Sequence, residues 1–332
     1  MVQQSLHDTI SLSKQNLGHV TNETSPYTDI VCNSKNQKAI YERNDIVFIT
    51  SRFRSGSTVL WNIFRSIEGC TSYYEPFNER RWFDKKNRGE HVDSTHIGVD
   101  DYSKEYDGLE HLDKYYNEDW IRQGLFMDAT TWAPEMKSYI CEMIEKANGR
   151  PIMQFNRIDF RLSWLKQNFP NAKFIHLYRH PRDQWYSFLT DKKLMTKKNI
   201  ETTYIDGFYL NTWSDDLAKH FPFLDQRTTP HPYQRFYYLW KLSYIYGKKE
   251  CDHNLSLEQL TQNPQSTLLK LFSELNIDNK HVEKAISIIE KPSLDKWKRF
   301  ADNNWFEKLE KECEIVLTHF LDAQANKNKA HQ

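Results

Sequence analysis

The sequence predicts an α/β fold with a central parallel β-sheet of about five strands that is flanked by helices on both faces. Short apolar runs, the first of them rich in β-branched residues, indicate buried strands. These runs alternate along the chain with longer segments of helical periodicity. Strands that alternate with helices predict a parallel sheet, because a helix carries the chain back across the sheet between strands.

The elements can be placed in order along the chain. Proline at position 181 supports a helix start there, because proline is favoured at the first helical position. Strands are predicted at 45–50, 70–75, 151–155, 172–178 and 254–257. Helices are predicted at 134–148, 160–169, from 181 onward, 233–248, 264–276, 280–290 and 304–322.

The chain of 332 residues is predicted to form one domain over residues 44–322. A polar segment, 1–43, predicts a flexible N-terminal arm, and 323–332 predict a polar tail. Residues 78–130 carry many charges with aromatic residues among them. We expect this segment, called the excursion below, to contribute to the acceptor site or to form a lid over it, since long loops in compact domains are usually functional.

Composition excludes several functional classes. The chain has 45 basic and 45 acidic side chains, so it lacks the basic excess of proteins that bind nucleic acids. Its five cysteines contain no CxxC pair, and neither a disulfide framework nor a metal site is expected. No signal peptide and no apolar run long enough to span a membrane is visible, so a cytoplasmic location is expected.

The most informative segment is a strand–turn–helix that begins at Ile49 and ends at Trp61. Its turn places backbone N–H groups and a helix N-terminus toward a bound anion. Gly56 allows close approach, and Arg54 adds a fixed positive charge. Three hydroxyl side chains add donors: Ser55, Ser57 and Thr58. The lysine of a Walker A motif is absent, and an ordinary serine-rich turn is the alternative interpretation.

A second strand–turn–helix occupies residues 173–187. Arg179 stands at the end of the strand, and Ser187 lies two turns into the following helix. Ligands bind at the carboxyl edge of the sheet in open α/β folds, so both side chains can reach one phosphate there. A surface ion pair is the alternative for Arg179 considered alone. Two anion-binding turns in one sheet predict a ligand with two separated anionic ends.

Both segments resemble the signature of the 3′-phosphoadenosine 5′-phosphosulfate (PAPS)-dependent sulfotransferase superfamily. RSGST, residues 54–58, resembles its 5′-phosphosulfate loop, and FIHLYRHPRDQWYS, residues 174–187, resembles its 3′-phosphate element. A weaker match is SLEQL followed by Asn263-Pro264, which resembles a strand–helix segment of the family. The resemblance implies a P-loop NTPase-like three-layer fold. It also implies sulfuryl transfer from PAPS to a hydroxyl or amine of a small-molecule or carbohydrate acceptor, with 3′,5′-ADP as product and no required metal.

The sequence departs from the cytosolic small-molecule branch of the superfamily. That branch has lysine where Arg54 stands and, where Val59 stands, a tryptophan that stacks on adenine. The stacking residue for adenine therefore stays open. Arginine in this loop resembles the bacterial and carbohydrate-type branches. Late basic residues that contact the 3′-phosphate in the family correspond loosely to Lys296, Lys298 and Arg299, for which a solvated face is the alternative.

The catalytic base is the least constrained prediction, because the histidine of the cytosolic branch is missing from 154–157. Glu75 is the predicted base, since it ends the second strand and should face the same crevice as the phosphosulfate loop. The alternative is that Glu75 forms an ion pair with a nearby arginine, such as Arg80 or Arg81, and only fixes the loop, and Asp128 is the second candidate base.

Three histidines have other predicted locations. His91 and His96 are expected at the solvated surface of the excursion, with a role in a lid or in the acceptor site as the alternative. His176 is expected inside the core.

Two other functions are alternatives to sulfuryl transfer. A P-loop kinase of a small molecule would need a Walker lysine and a magnesium carboxylate, neither of which the sequence shows. A non-catalytic nucleotide-binding module is the second alternative. Neither the acceptor nor the oligomeric state follows from the sequence.

Overall fold

The computed structural model describes residues 37–330. Most of the predicted arm, 1–36, lies outside the described residues. Helix α1 at the end of the arm buries Ile40 against the core. The sheet is formed by β1 (Val47–Ser51), β2 (Cys70–Tyr74), β3 (Arg150–Phe155), β4 (Lys173–Tyr178) and β5 (His253–Ser256).

All the pairings between these five strands are parallel, in the spatial order β2-β3-β1-β4-β5. The predicted parallel α/β sheet is therefore confirmed. β1 lies at the centre of the sheet, where Val47 pairs with Ile152 of β3 and with Lys173 of β4. Each residue of β1 is buried, because helices cover both faces of a parallel sheet.

The helices are those that the sequence predicts, together with shorter ones. They are α1 (Gln37–Glu42), α2 (Ser57–Arg65), α3 (Pro134–Lys146), α4 (Leu162–Asn168), α5 (Pro181–Phe188), α6 (Ile200–Thr203), α7 (Leu210–Leu217), α8 (Pro232–Glu250), α9 (Leu257–Gln262), α10 (Pro264–Glu274), α11 (Val282–Ile288) and α12 (Asn303–Ala330). Helix α12 continues past its predicted end at residue 322.

The two faces of the sheet bury different side chains. Val47 and Ile49 point to one face, where α2, α10 and α11 pack with aliphatic residues. Phe48 points to the other face and packs against Phe155 and Phe174. This alternation follows the period of two in a β-strand. The result is a three-layer arrangement that holds the ends of β1, β2 and β4 rigidly at one edge.

The excursion between β2 and α3 contains only short 3₁₀ helices, at 104–106, 110–114 and 118–121. It is nevertheless anchored by aromatic residues. Tyr102 stacks on Tyr74 of β2 with ring centroids 4.6 Å apart, and Trp82 lies 5.2 Å from Tyr102. The Tyr106 hydroxyl donates to the Tyr74 carbonyl oxygen. These contacts hold the excursion against the carboxyl edge of the sheet.

Candidate active site

The loop between β1 and α2 is shaped by Gly56, whose φ of 90° lies in the left-handed region. A Cβ atom at this position would lie 2.5 Å from Cδ1 of Leu257, at the start of α9. Glycine therefore serves both the backbone conformation and the close approach of α9. The loop passes directly into α2, whose N-terminus lies at the cavity described below.

The structure brings the two predicted anion-binding segments together. Arg54 Nε donates to Ser187 Oγ over 3.2 Å, and Arg179 Nη1 donates to the Arg54 carbonyl oxygen over 3.2 Å. Gln184 of α5 donates to the Phe53 carbonyl oxygen over 2.8 Å. The neighbouring strands β1 and β4 end at the same edge, so residues more than a hundred positions apart become one site.

Arg179 is a buried cation that forms no ion pair within 4 Å among the described residues. The residue is 8 % exposed, its Nε has no hydrogen-bond partner, and burial lowers its pKa, although the charges of Asp183 and Glu258 oppose the shift. Arginine stays protonated even so, and a buried charge without a direct partner is costly. The pKa of Lys192 is also lowered, by burial and by the positive charges of Arg54 and Lys296. This arrangement suits a bound anion.

A cavity of about 440 Å³ opens between these segments and the excursion. Arg54 and Arg179 contribute positive charge to its wall, and Glu75 contributes a carboxyl group. The other lining residues are Phe53, Gly56, Ser57, Thr58, Val59, Tyr74, Asn78, Arg80, Trp82, His91, Asp93, Thr95, His96, Tyr102, Asn156, Ser187, Phe208 and Leu257.

Glu75 follows β2 directly and is 4 % exposed. Its carboxylate accepts hydrogen bonds from Asn156 and, over 2.7 Å, from Asn78. Burial raises the pKa of Glu75, and this outweighs the opposing effects of Arg157, 3.8 Å away, and of the Asn78 hydrogen bond. A buried carboxylate with a raised pKa in a cavity has the properties of a general base.

Glu75 does have a nearby arginine as an ion-pair partner, as the alternative interpretation expects, but it is Arg157 and neither Arg80 nor Arg81. Arg80 donates to the carbonyl oxygens of Arg88 and His91, and Arg81 pairs with Asp113.

The second candidate base, Asp128, is exposed and does not line the cavity. It accepts hydrogen bonds from Thr130 and Thr131, which lower its pKa although partial burial opposes them. Of the two candidate bases, Glu75 is therefore the one that lines the same cavity as Arg54.

Comparison with known proteins decides the family. The model of the sulfotransferase family matches residues 47–281, which is most of the chain. The chain belongs to the sulfotransferase family. No curated protein sequence matches this sulfotransferase significantly.

Solved structures resemble this sulfotransferase at low sequence identity. A sulfotransferase from Mycobacterium avium is 10 % identical, with 89 % of this chain and 80 % of that chain covered and a TM-score of 0.48. A sulfotransferase from Alicyclobacillus acidocaldarius is 12 % identical, with 84 % and 96 % covered and a TM-score of 0.39. Retinol dehydratase, in complex with androsterone and the inactive cofactor PAP, is 14 % identical, with 89 % and 95 % covered and a TM-score of 0.37.

Not every residue predicted to bind the anion faces the cavity of this sulfotransferase. Ser57, Thr58 and Ser187 line it, whereas Ser55 is buried and its hydroxyl donates to the Arg52 carbonyl oxygen within the loop. Of the late basic residues, Lys298 pairs with Asp295.

The excursion contributes side chains to the cavity, as expected of a functional loop. His91 is exposed, as expected, but it also lines the cavity, together with His96 and Tyr102. His96 is only partly exposed, because aromatic packing folds the excursion over the loop. Sequence reasoning missed Asn156 as a partner of Glu75. The charged and aromatic composition of the excursion predicts a functional loop, but no motif in the sequence identifies His91, His96 or Tyr102 as residues of the site.

Two further observations concern the described part of this sulfotransferase. Within residues 37–330, no group of three or more histidine, cysteine, aspartate or glutamate side chains is arranged to hold a metal ion. In the same range, none of the helices combines the length and the apolar character that crossing a membrane requires.

Proposed function

We propose that this chain transfers a sulfuryl group from PAPS to a hydroxyl or amine of a small-molecule or carbohydrate acceptor. The observation that carries the proposal is the convergence of Arg54, Arg179 and Ser187 on one cavity that also contains Glu75. The reaction is placed in the cytoplasm on the basis of the sequence alone.

We assign the 3′-phosphate end and the phosphosulfate end of PAPS to different anion-binding segments. Arg179 and Ser187 would bind the 3′-phosphate, since the unpartnered Nε of Arg179 is available for a charge-assisted hydrogen bond. Arg54 and the hydroxyls of Ser57 and Thr58 would hold the phosphosulfate end. Ser55 remains a predicted contact through its place in the loop.

The chemistry proposed is an in-line displacement at sulfur. The acceptor oxygen or nitrogen forms a bond to sulfur while the bond from sulfur to the 5′-phosphate oxygen breaks. The bonding pair leaves with 3′,5′-ADP, and the acceptor's proton passes to Glu75. Arg54 stabilises the negative charge that develops on the departing oxygen, and the rigid loop fixes the donor in line.

The direct test is a transfer assay with ³⁵S-labelled PAPS and pooled alcohols, phenols, amines and oligosaccharides. We expect labelled product together with 3′,5′-ADP. Tight 3′,5′-ADP binding without transfer to any pool would favour a binding module. Magnesium-dependent ATP turnover would favour a kinase.

Substitution of Glu75 by Gln tests the base. Positioned base catalysis contributes about 10²–10⁴-fold, so kcat should fall by that order while the Kd for 3′,5′-ADP stays near that of the wild type. Asp128→Asn is the matched control and should leave kcat unchanged, because Asp128 lies outside the cavity. A loss of less than about fivefold in the folded Glu75→Gln variant would remove Glu75 from this role.

A further inference from the structure

His96 lies directly against the predicted phosphosulfate loop, although it comes from the excursion. Its Nε2 is 3.2 Å from Thr58 Oγ1, and its Nδ1 is hydrogen-bonded to the Tyr102 hydroxyl. Asp93, three residues earlier, places a carboxylate oxygen 3.6 Å from Arg54 Nη1. The segment 93–96 therefore contacts the two ends of the loop through polar groups.

The hydrogen bonds around Tyr102 favour one tautomer of His96. The Tyr102 hydroxyl oxygen accepts the backbone N–H of Asp93 over 3.0 Å, and its own proton is available for another acceptor. His96 Nδ1 is the acceptor in contact. With Nδ1 accepting, the neutral ring carries its proton on Nε2, and that N–H points at Thr58 Oγ1.

The Thr58 hydroxyl has one proton and two side-chain neighbours within hydrogen-bond distance. Its oxygen is 3.1 Å from the Tyr74 hydroxyl and 3.2 Å from His96 Nε2. A hydroxyl oxygen can accept two hydrogen bonds while donating one. The Tyr74 hydroxyl also forms a hydrogen bond with the Glu75 carboxylate, which can only accept, so Tyr74 donates to Glu75 and accepts the Thr58 proton. With His96 Nε2–H donating to Thr58, a chain of hydrogen bonds runs from His96 through Thr58 and Tyr74 to Glu75.

We propose that His96 is a positioning residue for sulfuryl transfer, which fixes the Thr58 hydroxyl at the phosphosulfate loop by donating to it within the hydrogen-bonded chain that ends at Glu75. The proposal rests on the proposed function and adds a role that the anion-binding segments do not contain. It also gives the excursion a part in the donor site as well as in the acceptor site.

The surroundings of His96 keep the ring neutral. Burial lowers the pKa of His96, the charge of Arg54 lowers it further, and Asp93 opposes both. The other groups that face it are Thr58 on α2, Tyr74 at the end of β2, and Tyr102. A neutral His96 ring that donates a hydrogen bond from Nε2 can orient Thr58 without forming an ion pair with the sulfuryl donor.

Two variants of similar size separate the roles of the two ring nitrogens. Glutamine at position 96 keeps an N–H the same number of bonds from Cα as Nε2, whereas asparagine can replace only Nδ1. We expect His96→Asn to lower kcat by roughly three- to tenfold, the effect of one hydrogen bond, and His96→Gln to recover most of the loss. The melting temperatures of the two variants should agree. A role of His96 in packing alone would then not account for a difference in kcat between them.

The same comparison in a Thr58→Val background tests whether His96 acts through Thr58. We expect His96→Asn to cause no further loss of kcat once the hydroxyl is gone, because coupled residues are non-additive. Independent, multiplying losses would overturn the proposal, and so would equal losses in the Asn and Gln variants.

Nuclear magnetic resonance of protein labelled with ¹⁵N-histidine provides a readout that needs no acceptor. We expect the Nε2–H tautomer in the free protein and in the complex with 3′,5′-ADP. An Nδ1–H tautomer would overturn the role of His96 whether or not transfer is detected. Absence of PAPS turnover in the wild type, with the Nε2–H tautomer present, would instead count against the proposed function.

Discussion

Arg54 and Glu75 share an unusual backbone conformation, with φ values of 66° and 39°. Left-handed φ angles in residues other than glycine cost on the order of 1–3 kcal/mol each and persist only where the surroundings enforce them. At Glu75 the enforcing contacts include the hydrogen bonds of its carboxylate with Asn78 and Asn156. Both residues line the same cavity, whereas the other non-glycine residues with positive φ in the described chain, Arg81, Tyr209, Asn276 and Asp295, do not line it.

Arg179 provides the sharpest prediction at the scale of one residue. Arg179→Ala should weaken 3′,5′-ADP binding by about 1.5–3 kcal/mol, or roughly 10- to 100-fold, because a charge-assisted hydrogen bond is lost. Arg179→Lys should recover only part of this, since lysine lacks the planar donor fork. Calorimetric titration measures both. Unchanged affinity of the alanine variant for 3′,5′-ADP would show that Arg179 does not bind the nucleotide.

At the scale of elements, the contact between α8 and β4 depends on Gly247. A Cβ atom there would lie 2.3 Å from Cγ and Nδ1 of the His176 ring. Alanine normally stabilises a helix interior relative to glycine. In this helix Gly247→Ala should instead lower the free energy of unfolding by about 1–3 kcal/mol through overpacking. Urea denaturation tests this, and His176→Ala in the same background should relieve the collision. A more stable Gly247→Ala variant would contradict the packing described.

The same interface predicts a pH dependence of stability. Burial lowers the pKa of His176 from 6.5 to about 4, although the hydrogen bond with Asn254 opposes the shift. Because the folded pKa is depressed, the unfolded chain binds the extra proton first as pH falls. The stabilisation is therefore present above pH 6.5 and is lost as pH falls to about 4, a change of about 3 kcal/mol.

Urea denaturation of wild type and His176→Asn across this pH range measures the effect. The free energy of unfolding of the variant should fall less between neutral pH and pH 4. Its slope against pH should be smaller by the equivalent of up to one bound proton. Parallel stability curves for the two proteins would show that His176 does not titrate as described.

For the whole molecule, the two anion-binding segments predict nucleotide-dependent stability. A ligand at 100 times its Kd adds about 2.7 kcal/mol, because it binds only the folded state. At equal concentrations, 3′,5′-ADP should raise the Tm more than 5′-ADP does, since only the former engages Arg179 and Ser187. Equal shifts in Tm would contradict the assignment of the 3′-phosphate.

Much of the fold was accessible from the sequence for a physical reason. A strand buried on both faces is a short continuous apolar run, so β1 and β4 were placed to within about two residues. Arg54 and Arg179 follow those strands, and the geometry of a parallel sheet brings them together.

The excursion resisted prediction, because His96 and Tyr102 are positioned by irregular backbone and aromatic contacts that have no period. The short helices α6 and α7 were not predicted either. The limits of the domain, 44–322, stay a prediction.

The position of β1 at the centre of the sheet has a consequence for synthesis on the ribosome. Val47 pairs with Ile152 and Lys173, so β1 emerges long before either neighbour exists. At roughly 5–20 residues per second, the wait between Val47 and Ile152 is on the order of 5–21 s. During that interval the apolar strand that leads into the Arg54 loop has neither of its neighbouring strands to pair with. Until β3 and then β4 have been made, we expect β1 to be a site where the nascent chain is prone to aggregate.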